Sequence, residues 1–143
     1  MSPYSRPNDE PGNAVENSEE PAVMNAERYS AQEVAWLERF RNICLAIPGA
    51  TEALKWGHPN FLIGKKIFAS FGREVGVISV AFKCPEPKQA ALLASGRYIA
   101  APYVGRYGWV CFPLRGRIPW GELAEGVAES CKLVAAKPRR APA

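Results

Sequence analysis

The spacing of apolar residues changes along this chain from a helical period to a period of two, and then back to a helical one. After Ser30, apolar residues recur every three to four positions until Pro48. Between residues 50 and 83 they alternate with polar or small residues instead. A helical period predicts an amphipathic helix and a period of two predicts half-buried strands, so the chain must combine both.

Each segment also carries start or stop signals. Ser30 and Glu33 have the spacing of a capping box, which predicts that the first helix begins there. Turn residues interrupt the alternating stretch and predict about four short strands in an antiparallel meander. A short helix is expected up to Ala94, and a strand over residues 109–114. Pro119 opens a last helix whose apolar face comprises Trp120, Leu123, Val127, Cys131 and Val134.

The order of these elements predicts an α+β fold. An antiparallel sheet would pack against an N-terminal helix, a short middle helix and a C-terminal helix. The chain has 143 residues, of which 48% are hydrophobic and 22% are charged. This composition suffices for a single core without metals or disulfides.

Charge divides the chain into an acidic beginning and a basic remainder. Residues 1–29 hold two basic and six acidic residues, a net charge of −4, whereas residues 30–143 hold 16 basic and 8 acidic residues, a net of +8. The first segment is rich in Pro, Asn, Ser and Glu, which predicts a disordered acidic leader. We expect the folded domain over residues 30–138 and a basic flexible tail over residues 139–143. The basic domain favours a polyanionic partner such as nucleic acid, although solubility alone is a sufficient reason for this charge.

Composition excludes several kinds of site. Residues 30–143 contain no aspartate and a single histidine, His58, so neither a His-rich metal site nor a Ser-His-Asp triad can be assembled. The four cysteines are far apart in sequence and predict buried free thiols. Glycine-rich nucleotide loops do not occur. We therefore predict no catalytic residue, no metal ion and no cofactor.

Membrane insertion and secretion are not expected either. The apolar runs are far shorter than the ~20 residues of a membrane-spanning helix. The first thirty residues lack the basic and then apolar layout of a secretory signal. A soluble, cytoplasmic protein is the expectation that follows.

Two segments bring aromatic and basic residues together. One is residues 56–61, which begin with Trp56 and are followed by Lys65 and Lys66. The other comprises Tyr103, Arg106, Tyr107 and Trp109. Such interleaving supplies stacking faces and phosphate donors, as nucleic-acid binding requires. The alternative is structural, because both tryptophans fit strand patterns and would fill a core.

Five sequence blocks occur in a distinctive order and spacing. They are AIPGATE (46–52), WGHPNF (56–61), GKKIFA (64–69), APYVGRYGWV (101–110) and ESCKLVAAK (129–137). Together they resemble the MmcQ/YjbR family of small bacterial proteins over about residues 30–138. The chain departs from the family at Cys131, where tyrosine is usual.

The resemblance implies a fold related in layout to frataxin-like and secretion-chaperone-like domains. It also implies a double-wing arrangement of hairpins that binds DNA. From the basic hairpins of this chain we expect phosphate contacts to double-stranded DNA, made by Lys65, Lys66, Arg73, Arg106, Arg115 and Arg117. The aromatic side of the contact surface would be lined by Tyr103, Tyr107 and His58.

Two other functions stay open, with the protein as a monomer or a dimer. A protein- or peptide-binding module would use the aromatic groove for apolar side chains of a partner and would tolerate salt. An enzyme would need His58 to act with Glu52 or Tyr107 as acid and base. Salt dependence separates the first of these from DNA binding, and loss of His58 tests the second.

Overall fold

The structure, a computed structural model, describes residues 29–73, 76–102 and 104–136. Within these ranges the chain forms an α+β fold, as predicted. The helices are α1 (Ala31–Leu45), α2 (Glu86–Ala94) and α3 (Trp120–Ala135). The strands are β1 (Ala50–Lys55), β2 (His58–Ile63), β3 (Lys66–Gly72), β4 (Ser79–Lys83), β5 (Ile99–Ala100) and β6 (Trp109–Pro113).

The first helix begins where the capping box predicts. Ser30 Oγ accepts a hydrogen bond from the Glu33 backbone N–H at 3.1 Å, and Glu33 Oε1 accepts one from the Ser30 N–H at 3.0 Å. Just before the cap, the Tyr29 ring packs edge-on against Phe71 with centroids 5.6 Å apart. The rest of the expected leader, and the tail over residues 139–143, lie outside the described residues.

The strands form one antiparallel sheet in the order β1-β2-β3-β4-β6-β5. The first four are consecutive neighbours, which confirms the predicted meander. The two-residue strand β5 pairs with β6 at the edge of the sheet. Two residues are too few to produce an alternating pattern, so the sequence did not predict this strand.

A bulge in β3 changes which residues share a face of the sheet. The register passes from Phe61 opposite Ala69 directly to Leu62 opposite Ile67, which leaves Phe68 without a partner in β2. One extra residue shifts the alternation by one position. The sequence pattern puts Ile67 on the same face as Ala69, and this is wrong. Phe68 and Ala69 both join the main core, whereas Ile67 lines the opposite face.

The hydroxyl of Ser130 in α3 bridges the strands at this bulge. Ser130 Oγ donates to the Phe68 carbonyl at 2.7 Å and accepts from the Lys83 N–H at 2.9 Å. The register places these two backbone groups next to the paired residues Ala69 and Phe82 of β3 and β4. Ser130 is fully buried, so its hydroxyl satisfies groups that water does not reach.

α1 and α3 cover one face of the sheet, which we call the helix face. α3 lies across β3 and β4, and α1 packs against α3 and β1. Gly126 of α3 approaches Phe82 so closely that an added Cβ would lie 2.6 Å from the ring carbon Cε1. The largest buried side chains of this face include Phe40, Phe61, Phe68, Phe71, Phe82 and Leu123. None of the described helices is long and apolar enough to span a membrane.

Candidate functional site

The face opposite α1 and α3, which we call the open face, carries a row of small and polar residues. The register places Asn60 of β2 opposite Ser70 of β3, Ser70 opposite Ala81 of β4, and Ala81 opposite Cys111 of β6. Ala81 and Cys111 form a small buried cluster with Ala101. At the other end of the row, small side chains leave room above the strands.

Trp56 reaches this face from an unusual turn. Lys55 and His58 form the last pair of β1 and β2, so Trp56 and Gly57 are a two-residue hairpin turn. Both have positive φ, 55° for Trp56 and 84° for Gly57, as in a type I′ turn. The first position of such a turn normally holds Asn, Asp or Gly, because a bulky side chain is strained at positive φ. Trp56 therefore belongs to the turn. The sequence pattern had suggested instead that Trp56 continues the alternation of β1.

Trp109 lies at the opposite side of the same region and is held by the preceding loop. Gly108, with φ of 99°, passes so close to the Cys84 carbonyl that a Cβ would lie 2.5 Å from its oxygen. The Gly108 carbonyl accepts from the Cys84 N–H at 2.9 Å. Gln89 of α2 donates to the carbonyls of Gly105 at 2.6 Å and Trp109 at 3.3 Å. These bonds fix the backbone at the start of β6, from which the Trp109 side chain extends.

The two tryptophans form walls of a cavity of about 170 Å³, which we call the tryptophan cavity. Both are half-buried. Its lining comprises Trp56, Asn60, Ile67, Ser70, Val104 and Trp109. The bulge allows Ile67 and Ser70, three positions apart, to line it together.

Two residues that line the tryptophan cavity, Asn60 and Ser70, each contain a fully buried polar atom that has no hydrogen-bond partner among the described residues. Asn60 Nδ2 donates to the backbone carbonyls of His58 at 2.9 Å and Lys55 at 3.3 Å. Since carbonyls only accept, the amide nitrogen must face them, and Oδ1 is left as a free acceptor. Asn60 Oδ1 and Ser70 Oγ are the two buried atoms in question. A buried polar group left unsatisfied costs about 1–3 kcal/mol.

Four cations lie at one end of the sheet, and we call them the basic edge: Lys65, Lys66, Lys83 and Arg106. In the part of the chain that the structure describes, none of the four forms a salt bridge. A surface depression of about 360 Å³ is bordered by Lys66 and Lys83 and shares Ile67 and Trp109 with the tryptophan cavity. The end of α3 forms the rest of this depression, and Lys66 and Lys83 of the basic edge therefore lie beside the tryptophan cavity.

Arg106 and Tyr107 add an aromatic and cationic pair beside the basic edge. Arg106 Nη2 donates to Tyr107 Oη at 3.0 Å, and its guanidinium carbon lies 5.0 Å from the centre of the Tyr107 ring. Tyr107 is 55% exposed, so it is available for stacking. Tyr103, the other tyrosine expected on this surface, lies outside the described residues.

The remaining predicted phosphate contacts lie at the far end of the sheet. Arg73 follows the last residue of β3, roughly 20 Å along the strand from Lys66. Arg115 and Arg117 are exposed and follow the end of β6 that is opposite Trp109. The six predicted basic residues thus do not form one continuous patch.

Arg73 is already engaged within the protein. Its Nη2 donates to Glu33 Oε1 at 2.8 Å, and its guanidinium carbon lies 5.7 Å from the Tyr29 ring centre. The hydrogen bond from Arg73 lowers the pKa of Glu33 below its ordinary value. The charge of Arg73 is therefore partly neutralised before any partner arrives.

His58 is buried and lies far from the residues with which an enzyme would pair it. It packs against Gly72, where a Cβ would come within 2.9 Å of the imidazole Cγ. Glu52 is held on the helix face by Arg41, with contacts of 2.7 and 2.9 Å. Tyr107 lies at the opposite end of the sheet from His58. No acid–base pair forms among these three residues.

The cysteines are all buried and free, as predicted. Burial raises the pKa of the Cys84 thiol to about 11 and that of Cys44 well above its ordinary value. Thiols of this kind are neutral and poorly nucleophilic near pH 7. Among the described residues, no three His, Cys, Asp or Glu side chains lie close enough to hold a metal ion.

Known proteins resemble this chain in both sequence and fold. The family model described as YjbR matches residues 45–133, which is more than half of the chain. The chain belongs to the YjbR family. The crystal structure of Deinococcus radiodurans protein DR2400, described as a DUF419 domain, is similar with a TM-score of 0.62 and 17% identity. That match covers 73% of this chain and 82% of the other, and it shows the shared fold. No curated protein matches this sequence.

Several residues of the tryptophan cavity and the basic edge were missed by the sequence reasoning. Asn60 and Ser70 look like ordinary strand residues in sequence, and Lys83 looks like an ordinary strand end. The available signal was the Trp56-Gly57 pair between two alternating runs, since tryptophan there contradicts turn preference. Ile67 could not be assigned to the cavity because the bulge reverses its face.

Proposed function

We propose that this YjbR-family protein binds DNA without catalysing a reaction on it, and that the basic edge makes the contact. The observation that carries the proposal is the gathering of Lys65, Lys66, Lys83 and Arg106 at one end of the sheet, without salt bridges within the described residues. Cations that are not neutralised internally are free to replace the counterions of phosphates. The exposed Tyr107 next to Arg106 supplies a stacking surface at the same place.

Binding of this kind is mainly electrostatic. The basic edge offers no helix for the major groove, because α3 lies on the helix face with Glu122, Glu125 and Glu129 on its outer side. Each phosphate contact contributes about 0.9 to the slope of log affinity against log salt. Four contacts predict a slope of about 3 to 4 and little sequence preference. The proposal keeps the cytoplasmic location expected from the sequence.

Fluorescence anisotropy of a labelled duplex across a salt series tests this proposal. Replacing Lys65 and Lys66 together (Lys65→Gln with Lys66→Gln) should lower the slope by about 2 and weaken binding equally for all sequences. Arg115→Gln with Arg117→Gln is the matched control, because it removes the same charge from the far end of the sheet. The control should change the slope by less than half as much.

Two results would contradict the proposal. Equal losses in the two double variants would show that net charge, and not the basic edge, determines binding. Absence of binding at low salt would remove DNA from consideration altogether.

The apolar lining of the tryptophan cavity favours a second candidate function. A protein- or peptide-binding module would place an apolar side chain of a partner between Trp56 and Trp109, with the lysines at the rim. Such binding would persist at high salt and survive loss of Lys65 and Lys66. The same salt series therefore separates the two functions.

A further inference from the structure

We propose that the tryptophan cavity binds one unpaired pyrimidine base, with the phosphate of that nucleotide on Lys66 and Lys83. The proposal deepens the proposed DNA-binding function and rests on it. It makes a single strand, or a locally opened one, the preferred form of DNA. The size of the cavity, its aromatic walls and its charged border support this binding.

The size and walls of the cavity suit one aromatic ring. Its volume is about 170 Å³, close to the roughly 150 Å³ of protein cavities that accept a benzene ring. Trp56 and Trp109 supply aromatic faces, and Ile67 and Val104 supply apolar contacts. A base stacks on such faces whatever its identity, because every base has a flat π surface. A single-ring pyrimidine fits this volume better than a double-ring purine.

The charged border favours a nucleotide over a neutral ring. Lys66 and Lys83 border the depression that shares Ile67 and Trp109 with the cavity. An anionic group attached to a ring in the cavity would therefore meet two ammonium groups as it emerges. In a paired duplex the Watson–Crick edge of each base is occupied, so the base must first leave the stack to enter.

The experiment compares three labelled ligands of equal length by anisotropy: oligothymidylate, an abasic single strand and a duplex. We expect the oligothymidylate to bind at least about tenfold more tightly than the abasic strand. Trp56→Asn, which keeps a residue suited to the turn, should abolish this difference while leaving the salt slope unchanged. If Trp56→Asn does not fold, Val104→Trp provides the same test by filling the cavity from the loop.

The outcomes separate failure of the base pocket from failure of DNA binding. Equal affinity for oligothymidylate and the abasic strand overturns the pocket and leaves contact through the basic edge intact. Loss of binding to every strand refutes the proposed function, and thymidine monophosphate then tests the cavity alone. Shifts of the Trp56 and Trp109 indole N–H signals with thymidine monophosphate, absent in Val104→Trp, support the pocket. Shifts with toluene but not with thymidine monophosphate overturn it.

Discussion

The helix face and the open face of this sheet are built from neighbouring residues of the same strands, yet the helix face is closely packed and the open face contains a cavity. On the helix face, phenylalanines interlock beneath α1 and α3, and Gly126 leaves no room for a methyl group against Phe82. On the open face, Asn60 and Ser70 lie beneath a cavity and keep two polar atoms unsatisfied by the described residues. Close packing of the first kind is expected for a core that sets stability. An open cavity of the second kind is expected where something else binds.

Adjacent residues of β3 offer the largest test of this difference. Phe68→Ala removes a fully buried ring from the helix face and should lower the free energy of unfolding by about 3–5 kcal/mol. Ile67→Ala, one residue away, removes a half-buried side chain from the cavity wall and should cost about 1 kcal/mol. Urea denaturation of both variants measures the two costs. Similar losses would show that the open face is packed as a second core.

The elements that the sequence predicted correctly are those with local causes. The start of α1 follows from Ser30 and Glu33, which lie within one turn of each other. The β1–β4 meander follows from an alternating pattern interrupted by turn residues. Each signal lies within a few residues of the structure that it specifies, so one sequence suffices to read it.

The bulge and the cavity could not be predicted because their causes are distant in sequence. Ser130 bridges the backbone at Phe68 from 62 positions away, and only the packing of α3 brings it there. Without the bulge, Ile67 would face the helices and the cavity would lose a wall. The basic residues were predicted to contact phosphates together, but their division between two ends of the sheet depends on strand register.

Two buried serines provide the next comparison. Ser130→Ala leaves the Phe68 carbonyl and the Lys83 N–H unsatisfied on the helix face, and should cost about 1–3 kcal/mol. Ser70→Ala removes an open-face hydroxyl that has no partner among the described residues, and should leave stability unchanged or raise it by up to about 1–3 kcal/mol, because the desolvation cost of that hydroxyl disappears. Both changes remove the same atom from fully buried positions, and urea denaturation measures each. If Ser70→Ala proves as costly as Ser130→Ala, its hydroxyl is satisfied within the protein and is not available to a ligand.

A small effect on stability is expected at Trp56, where turn geometry and packing oppose each other. Trp56→Asn loses a half-buried indole but places a favoured residue at φ 55°. Left-handed backbone costs a bulky residue about 1–2 kcal/mol, so the two effects should cancel to within about 1 kcal/mol. Trp109→Ala is the control, because Trp109 occupies an ordinary strand and its truncation brings no relief of the backbone. It should cost more than Trp56→Asn in thermal or urea unfolding.

The result at Trp56 decides whether its indole serves the fold or a ligand. A loss above about 2 kcal/mol for Trp56→Asn would mean that the packing of the indole outweighs the relief of strain in the turn, and that the fold needs this side chain. If Trp56→Asn instead leaves the free energy of unfolding nearly unchanged and abolishes the preference for oligothymidylate, the indole is needed for the ligand and not for the fold. A tryptophan that strains its turn and adds nothing to stability is kept there for binding, because strain of this kind persists where it contributes to function.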